Sequence, residues 1–180
     1  TVKIDDSVAN KGTAPVVLEH RAVLSRHGTP KIEGFFILHE GLIGQMGDKG
    51  LQEITYAKSL DTSKDGAQLR KAFDKVTGTW MGFTDKYWAT AVLPDQKAVA
   101  DGFFLGTSKA TGTKESYQAG ALQRGITIAP GAAHTVTNNV FAGAKEVQTL
   151  QSYQTTLGAL NFDNMVDWGW FHFFTRPLYK

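Results

Sequence analysis

Residues 79–95 read TWMGFTDKYWATAVLPD. Trp, Phe, Tyr, Thr and Val are the side chains that suit a pleated, half-buried surface, and the run closes on Pro94-Asp95, which punctuates strands. This is strand chemistry, and the same chemistry recurs on both sides of it.

Downstream, VADGFFLGTS (99–108) and ESYQAGALQRGITIAPGAAHTVTNNVFAG (115–143) repeat the pattern between Gly and Pro boundaries. Upstream, residues 34–56 mix short apolar runs with Gly34, Gly41, Gly44, Gly47 and Gly50, which predicts short strands and tight turns over a core. Residues 57–75, AKSLDTSKDGAQLRKAFDK, are the most polar part and read as a solvent-facing excursion. At the front, Val2, Ile4 and Val8 fall on alternate positions, Gly12 and Pro15 mark a turn, and residues 15–28 resume extended character up to Gly28, the pattern of two antiparallel strands. Many short strands at fairly even spacing predict an all-β sandwich.

The pattern changes at Gly143. In AKEVQTLQSYQTTLG (144–158), Val147, Leu150, Tyr153 and Leu157 step by three, three and four, which places them on one face of a helix that Gly158 ends. A second short helix is expected from Asn161 or Phe162, with Asn161 or Asp163 as its cap. The division expected is a sandwich over 1–142 and a helical segment over 143–180.

Composition narrows the function. The 180 residues suit one domain, and 42% hydrophobic with 20% charged residues is ordinary for a folded protein. Net charge is +2 without a run of Lys or Arg, which argues against nucleic acid as a partner. The absence of cysteine excludes disulfides and thiolate zinc sites. Apolar runs such as FFIL (35–38) fall far short of the roughly 20 residues of a spanning helix. The opening TVKIDDSVAN reads as a strand already under way, without a signal peptide, which points to a fragment.

The last segment is the least comfortable in water. Five of the seven residues from Trp168 to Phe174 are Trp or Phe. Wound at about 100° per residue, Gly169, His172 and Arg176 share one narrow side while Trp168, Trp170, Phe171, Phe173 and Phe174 cover the rest, with Asp167 poorly placed. Such a surface is either buried in its own domain or lies at the water–lipid boundary, where Trp is favoured and Arg reaches head groups. Pro177 suits the first turn of a further helix. The two are compatible if Phe162 and Val166 face the domain and the later aromatics face lipid.

The segment 162–180, FDNMVDWGWFHFFTRPLYK, resembles the link between the large periplasmic domain and the second transmembrane helix in the YidC family of bacterial membrane protein insertases, where Asp-x-Gly-Trp is followed by aromatics, Ser or Thr, a basic residue or Gln, and Pro-Leu. Residues 78–95 are similar to that family's strand with a central Tyr-Phe or Tyr-Trp pair, 1–24 to its strand pair around an Asn-x-Gly turn, and 42–60 to its Gly-rich loop. The resemblance implies a β-supersandwich with C-terminal α-helices on the periplasmic face of the inner membrane, without catalysis and without a cofactor, in a multi-pass protein whose front strands and membrane groove lie elsewhere. It implies membrane protein substrates, the inner-membrane lipid interface and accessory subunits of the Sec translocon, of the SecDF type, as partners. Carried over by position, Phe162, Asp163, Asp167, Trp168, Gly169, Trp170, Phe171, Thr175, Arg176 and Pro177 match the helical, membrane-entering motif, and Phe173 and Phe174 complete its interfacial aromatics.

A sandwich of this kind is also similar to sugar mutarotases, which need a His and a carboxylate about one substrate. Glu19-His20 and His39-Glu40 are adjacent pairs and point to opposite faces of a strand; His39 with Glu19 is the remaining pairing to test. His20, His27, His39, His134 and His172 lack metal-ligand spacing, and the Gly-rich stretches lack a phosphate-binding ending. An apolar groove between sandwich and helix would suit an extended peptide.

Overall fold

The computed structural model describes residues 1–32, 38–60, 70–107 and 114–167. Among these are ten strands, β1 (Val2–Ala9), β2 (Val16–His27), β3 (Gly41–Met46), β4 (Leu51–Thr55), β5 (Arg70–Val76), β6 (Thr79–Thr84), β7 (Trp88–Pro94), β8 (Ala100–Thr107), β9 (Ser116–Ile128) and β10 (Ala133–Ala144). Two helices join them, the single turn α1 (Tyr56–Ser59) and α2 (Val147–Leu157). The strands form two antiparallel sheets, β1-β10-β7-β6-β3-β4 and β2-β9-β8-β5, so the fold is mainly β with a C-terminal helix.

Between the sheets lies the first core, built from Leu42, Met46, Met81, Phe83 and Val92 on one side and Phe73, Phe104, Tyr117 and Ala119 on the other. Period-two alternation then sends Ile43, Trp80, Ala89, Ala91 and Leu93 to the opposite face of the six-stranded sheet, where they meet Leu150 of α2 together with Ala159, Phe162 and Met165. The six-stranded sheet is thus the middle of three layers. This is why β3 and β6 lack the apolar-polar alternation of a strand with one wet face, since both faces of each strand are buried. Residues 79–95 carry the arrangement in miniature, with Trp80 facing the helix and Met81 and Phe83 facing the second sheet.

Helix α2 runs over the expected span and ends at Gly158, which takes the left-handed conformation at φ 67°. Two expectations need correction. The polar stretch 57–75 is not wholly an excursion: its end belongs to β5, paired to β8, with Phe73 and Val76 buried, and an irregularity between those two residues breaks the period-two pattern that would mark the strand. Nor does a second α-helix begin at Asn161 or Phe162. Phe162–Met165 make a single 3-10 turn and Val166 is already extended, at φ −78° and ψ 120°. Asn161 sits before the turn at φ 52°, but its side chain makes no capping bond; it serves as the reversal after α2, a conformation Asn tolerates better than most residues.

Among the described residues, no helix is long and apolar enough to cross a membrane.

Candidate functional site

The candidate site is the point at which the chain leaves the sandwich. Phe162 is fully buried and stands nearly perpendicular to the Trp80 ring, 5.1 Å between centroids and 88° between planes, and to the Phe141 ring, 5.6 Å and 86°. Tyr153 of α2 closes the group, 6.3 Å from Phe162. Edge-to-face rings of this kind add about 0.5–1.5 kcal/mol per pair to the burial of their area. Trp80 Nε1 also donates to the carbonyl of Leu160 at 2.8 Å, so the loop after α2 is bonded to the central sheet from below. Asp163 is buried, and its carbonyl accepts from the N–H of Val166 at 3.0 Å.

Two residues past the 3-10 turn, Asp167 Oδ2 accepts a 2.7 Å hydrogen bond from the backbone N–H of His39, just ahead of β3. His39 Nε2 in turn lies 3.0 Å from the carbonyl of Leu42. A backbone donor to a carboxylate is among the stronger hydrogen bonds a protein makes. Phe162 and Asp163 are therefore buried in the layer between the central sheet and α2, and Asp167 is bonded ahead of β3, beside the β6–β7 turn; Trp168, Gly169, Trp170, Phe171, Phe173, Phe174, Thr175, Arg176 and Pro177 lie outside the described residues.

Around this exit stands a group of charges that the sequence gives no signal for. Lys145 is partly buried, and burial holds its amine below the ordinary lysine range, opposed by Asp167, Asp85 and Glu40. Its Nζ donates to Thr84 Oγ1 at 3.1 Å. Asp85 is bridged by Arg26 Nη1 at 2.7 Å and by the Tyr56 hydroxyl at 3.1 Å, and the same guanidinium nitrogen donates to Tyr56 at 3.0 Å. Burial, then the carboxylate of Asp85, push the Tyr56 phenol well above its usual value. For Arg26, burial is the largest single influence and acts downward, but the hydrogen bonds and charges of Asp85 and Tyr56 together outweigh it, and the guanidinium is raised. The turn between β6 and β7 is closed by the Asp85 N–H on the Trp88 carbonyl at 2.9 Å and held from outside by Lys86 N–H on Glu40 Oε1 at 3.1 Å and Lys145 N–H on the Tyr87 carbonyl at 2.9 Å. The exit and the β6–β7 turn are one bonded unit.

Over the entire chain, residues 1–180, the sequence matches the profile of the YidC periplasmic domain. The chain belongs to the YidC periplasmic domain family. It is similar to proteins named membrane protein insertase YidC, at 45% identity over 179 residues in Methylobacterium nodulans, 46% over 176 in Beijerinckia indica and 41% over 177 in Brucella melitensis. Each comparison covers 98% of this chain but only 28–29% of the relative, so the chain spans less than a third of the length of the YidC proteins it matches.

The YidC domain family is not one of enzymes. The side chains set aside for sugar chemistry are occupied elsewhere: Glu19 Oε1 bonds Arg124 Nη1 at 2.9 Å, whereas His39 bonds the Leu42 carbonyl. His20 does meet a carboxylate, Asp6 at 2.9 Å. That pair borders a cleft of about 70 Å³ that Glu19 and His134 also line, because an irregularity in β2 between Leu18 and His20 brings the adjacent Glu19 and His20 to one cleft rather than to opposite faces; its remaining walls are Val8, Leu18, Ile126, Ile128 and Val136, without an aromatic platform for a sugar ring. Among the described residues no group of His, Asp and Glu is placed to hold a metal ion.

Proposed function

We propose that this domain serves a YidC-type insertase of the bacterial inner membrane by fixing, on the periplasmic side, the position and direction of the segment that enters the bilayer, and so assists insertion and folding of membrane proteins. The observation that carries the proposal is the tether of Asp167 to the His39 backbone, immediately ahead of the aromatic run, with Phe162 socketed five residues earlier. In this reading Phe162 and Asp163 are the buried root and Asp167 the hinge point. Trp168, Gly169, Trp170, Phe171, Phe173, Phe174, Thr175, Arg176 and Pro177 form the membrane-entering, interfacial motif.

The sandwich occupies 1–142 and the exit segment 143–180. Further strands complete the sandwich in the whole protein, a reading supported by the edge strands β1 and β2, which leave Val2 64% and Val17 66% exposed. The resemblance to the family supports membrane protein substrates and contact of the sandwich faces with Sec accessory subunits of the SecDF type. The work is mechanical: a rigid exit sets the angle of the following helix, and no cofactor takes part.

The test is complementation of insertase-depleted cells by the full-length protein carrying Asp167→Ala, with insertion of a substrate followed by protease protection. Insertion is expected to fall several-fold at unchanged protein abundance. Normal insertion by that variant would overturn the proposal.

A further inference from the structure

The β6–β7 turn presents the most conspicuous aromatic surface on the described part of the molecule. Tyr87 is 65% exposed and Trp88 63%, side by side on a tight turn. Ile32, on the neighbouring segment, is 42% exposed, and Pro30 and Lys31 share a cleft of about 210 Å³ with Tyr87 and Trp88. The Lys86 ammonium sits 5.1 Å from the centre of the Tyr87 ring. Two large aromatics left in water need a reason when the strands on either side of them are buried.

Position supplies the reason. Tyr87 and Asp167 line one cleft of about 290 Å³, so the turn and the exit lie at the same end of the domain. We propose that the Tyr87-Trp88 tip is a second interfacial anchor, seated in the head-group layer of the lipid surface beside the point where the chain goes in.

The proposal rests on the reading of residues 168–177 as the membrane-entering motif. A chain advances at most about 3.5 Å per residue, so a Trp170 seated at the interface leaves Asp167 within about 11 Å of it. The polar layer on each side of a bilayer is about 5–8 Å thick. Tyr87, in the same cleft as Asp167, is then close enough to reach that layer when the turn is the side of the exit that faces the bilayer. The chemistry agrees: Trp and Tyr are the residues favoured at this boundary, and Lys31, in the cleft beside them, has a stem long enough to follow the rings while its ammonium group stays with phosphate. The exposed aromatic surface here is two consecutive side chains on one turn, whereas a stable protein partner needs about 800 Å² on each side. Bonds from Asp85, Lys86 and Lys145 to the surrounding backbone and side chains keep it rigid, so anchoring would order little that is not already ordered. Two separated anchors fix an orientation; one alone leaves the domain free to swing.

The experiment uses the 180-residue chain with Trp168→Phe and Trp170→Phe, which leaves buried Trp80 and exposed Trp88 as its tryptophans. Acrylamide quenching is measured with and without vesicles of phosphatidylethanolamine and phosphatidylglycerol, and again with brominated acyl chains. The expected result is a fall of at least about threefold in acrylamide quenching on vesicle binding, with quenching by the brominated lipid that disappears in the further variant Trp88→Phe. If the chain binds vesicles while Trp88 stays as open to acrylamide as in buffer, the inference is overturned and the tip is left to a protein partner. A version with Trp168→Phe, Trp170→Ala and Phe171→Ala separates the two readings. Vesicle binding and Trp88 shielding that survive those changes support the tip and overturn the tail reading alone; failure of every version to bind vesicles overturns both.

Discussion

Asp167 Oδ2 accepts a hydrogen bond of 2.7 Å from the backbone N–H of His39, a residue 128 positions away in the chain. The bond joins the last described residue to the approach of β3, a strand buried on both faces. It gives the departing chain a fixed point beside a fully buried strand of the central sheet. Phe162 gives it a second, in the aromatic socket under Trp80. Two fixed points define a direction, which is what a single hinge could not do.

Asp167→Ala removes the acceptor and leaves the His39 amide without its partner. A hydrogen bond to a charged group is worth about 1.5–3 kcal/mol, so exchange of that amide should quicken by about 10-fold to 100-fold, while strands β6 and β7 keep their protection. Unchanged exchange at His39 would show that the tether carries no weight.

Phe162→Ala empties a fully buried site lined by Trp80, Phe141 and Tyr153. The cost is expected at about 3–5 kcal/mol, read from urea unfolding, with loss of near-ultraviolet dichroism from the aromatic group. A loss below about 1 kcal/mol would mean that the socket is not closed in solution.

Tyr56→Phe deletes the hydroxyl between Arg26 and Asp85 but spares their ion pair. At neutral pH the loss should be about 1–2 kcal/mol. The phenol is raised above its ordinary value of 10.0, so its stabilising share is fully present below pH 10 and is lost as pH rises beyond it toward the folded-state value. Unfolding compared at pH 7 and pH 11 should therefore show a smaller alkaline loss in the variant than in the parent. Equal losses in both would contradict this assignment.

Gly82 sits where β6 approaches β7 so closely that an added Cβ would come within 1.8 Å of the Thr90 carbonyl oxygen. Gly82→Ala must displace backbone in the middle layer, and we expect it to destabilise by more than about 3 kcal/mol. A soluble variant with parental thermal stability would show that the two strands are not paired in this register.

Much of the fold could be read from local pattern. Residues 79–95 declare strands, the three-three-four step of Val147, Leu150, Tyr153 and Leu157 declares α2, and Gly158 declares its end. β5 was hidden because an irregularity between Phe73 and Val76 breaks its period-two pattern. Of the short helix expected from Asn161 or Phe162, the described residues hold the 3-10 turn Phe162–Met165, after which Val166 is extended toward the tether of Asp167; the aromatic run that helix was to carry lies outside the described residues. The exit was legible as an aromatic run with a conspicuous Asp167, but its supports were not. Arg26, Tyr56, Asp85 and Lys145 are scattered over β2, α1, the β6–β7 turn and the end of β10, and only the sheet topology brings them together.

The central claim, that this domain holds a membrane-entering segment at the interface, is tested most directly by co-sedimentation of the 180-residue chain with vesicles containing phosphatidylglycerol, against the variant Trp170→Ala with Phe171→Ala. The account predicts that the parent pellets with vesicles and that the variant partitions at least about tenfold less, while its β-sheet circular dichroism is unchanged. Equal partitioning of the two, or a variant that has lost its β signal because those rings belong to the core, would contradict it.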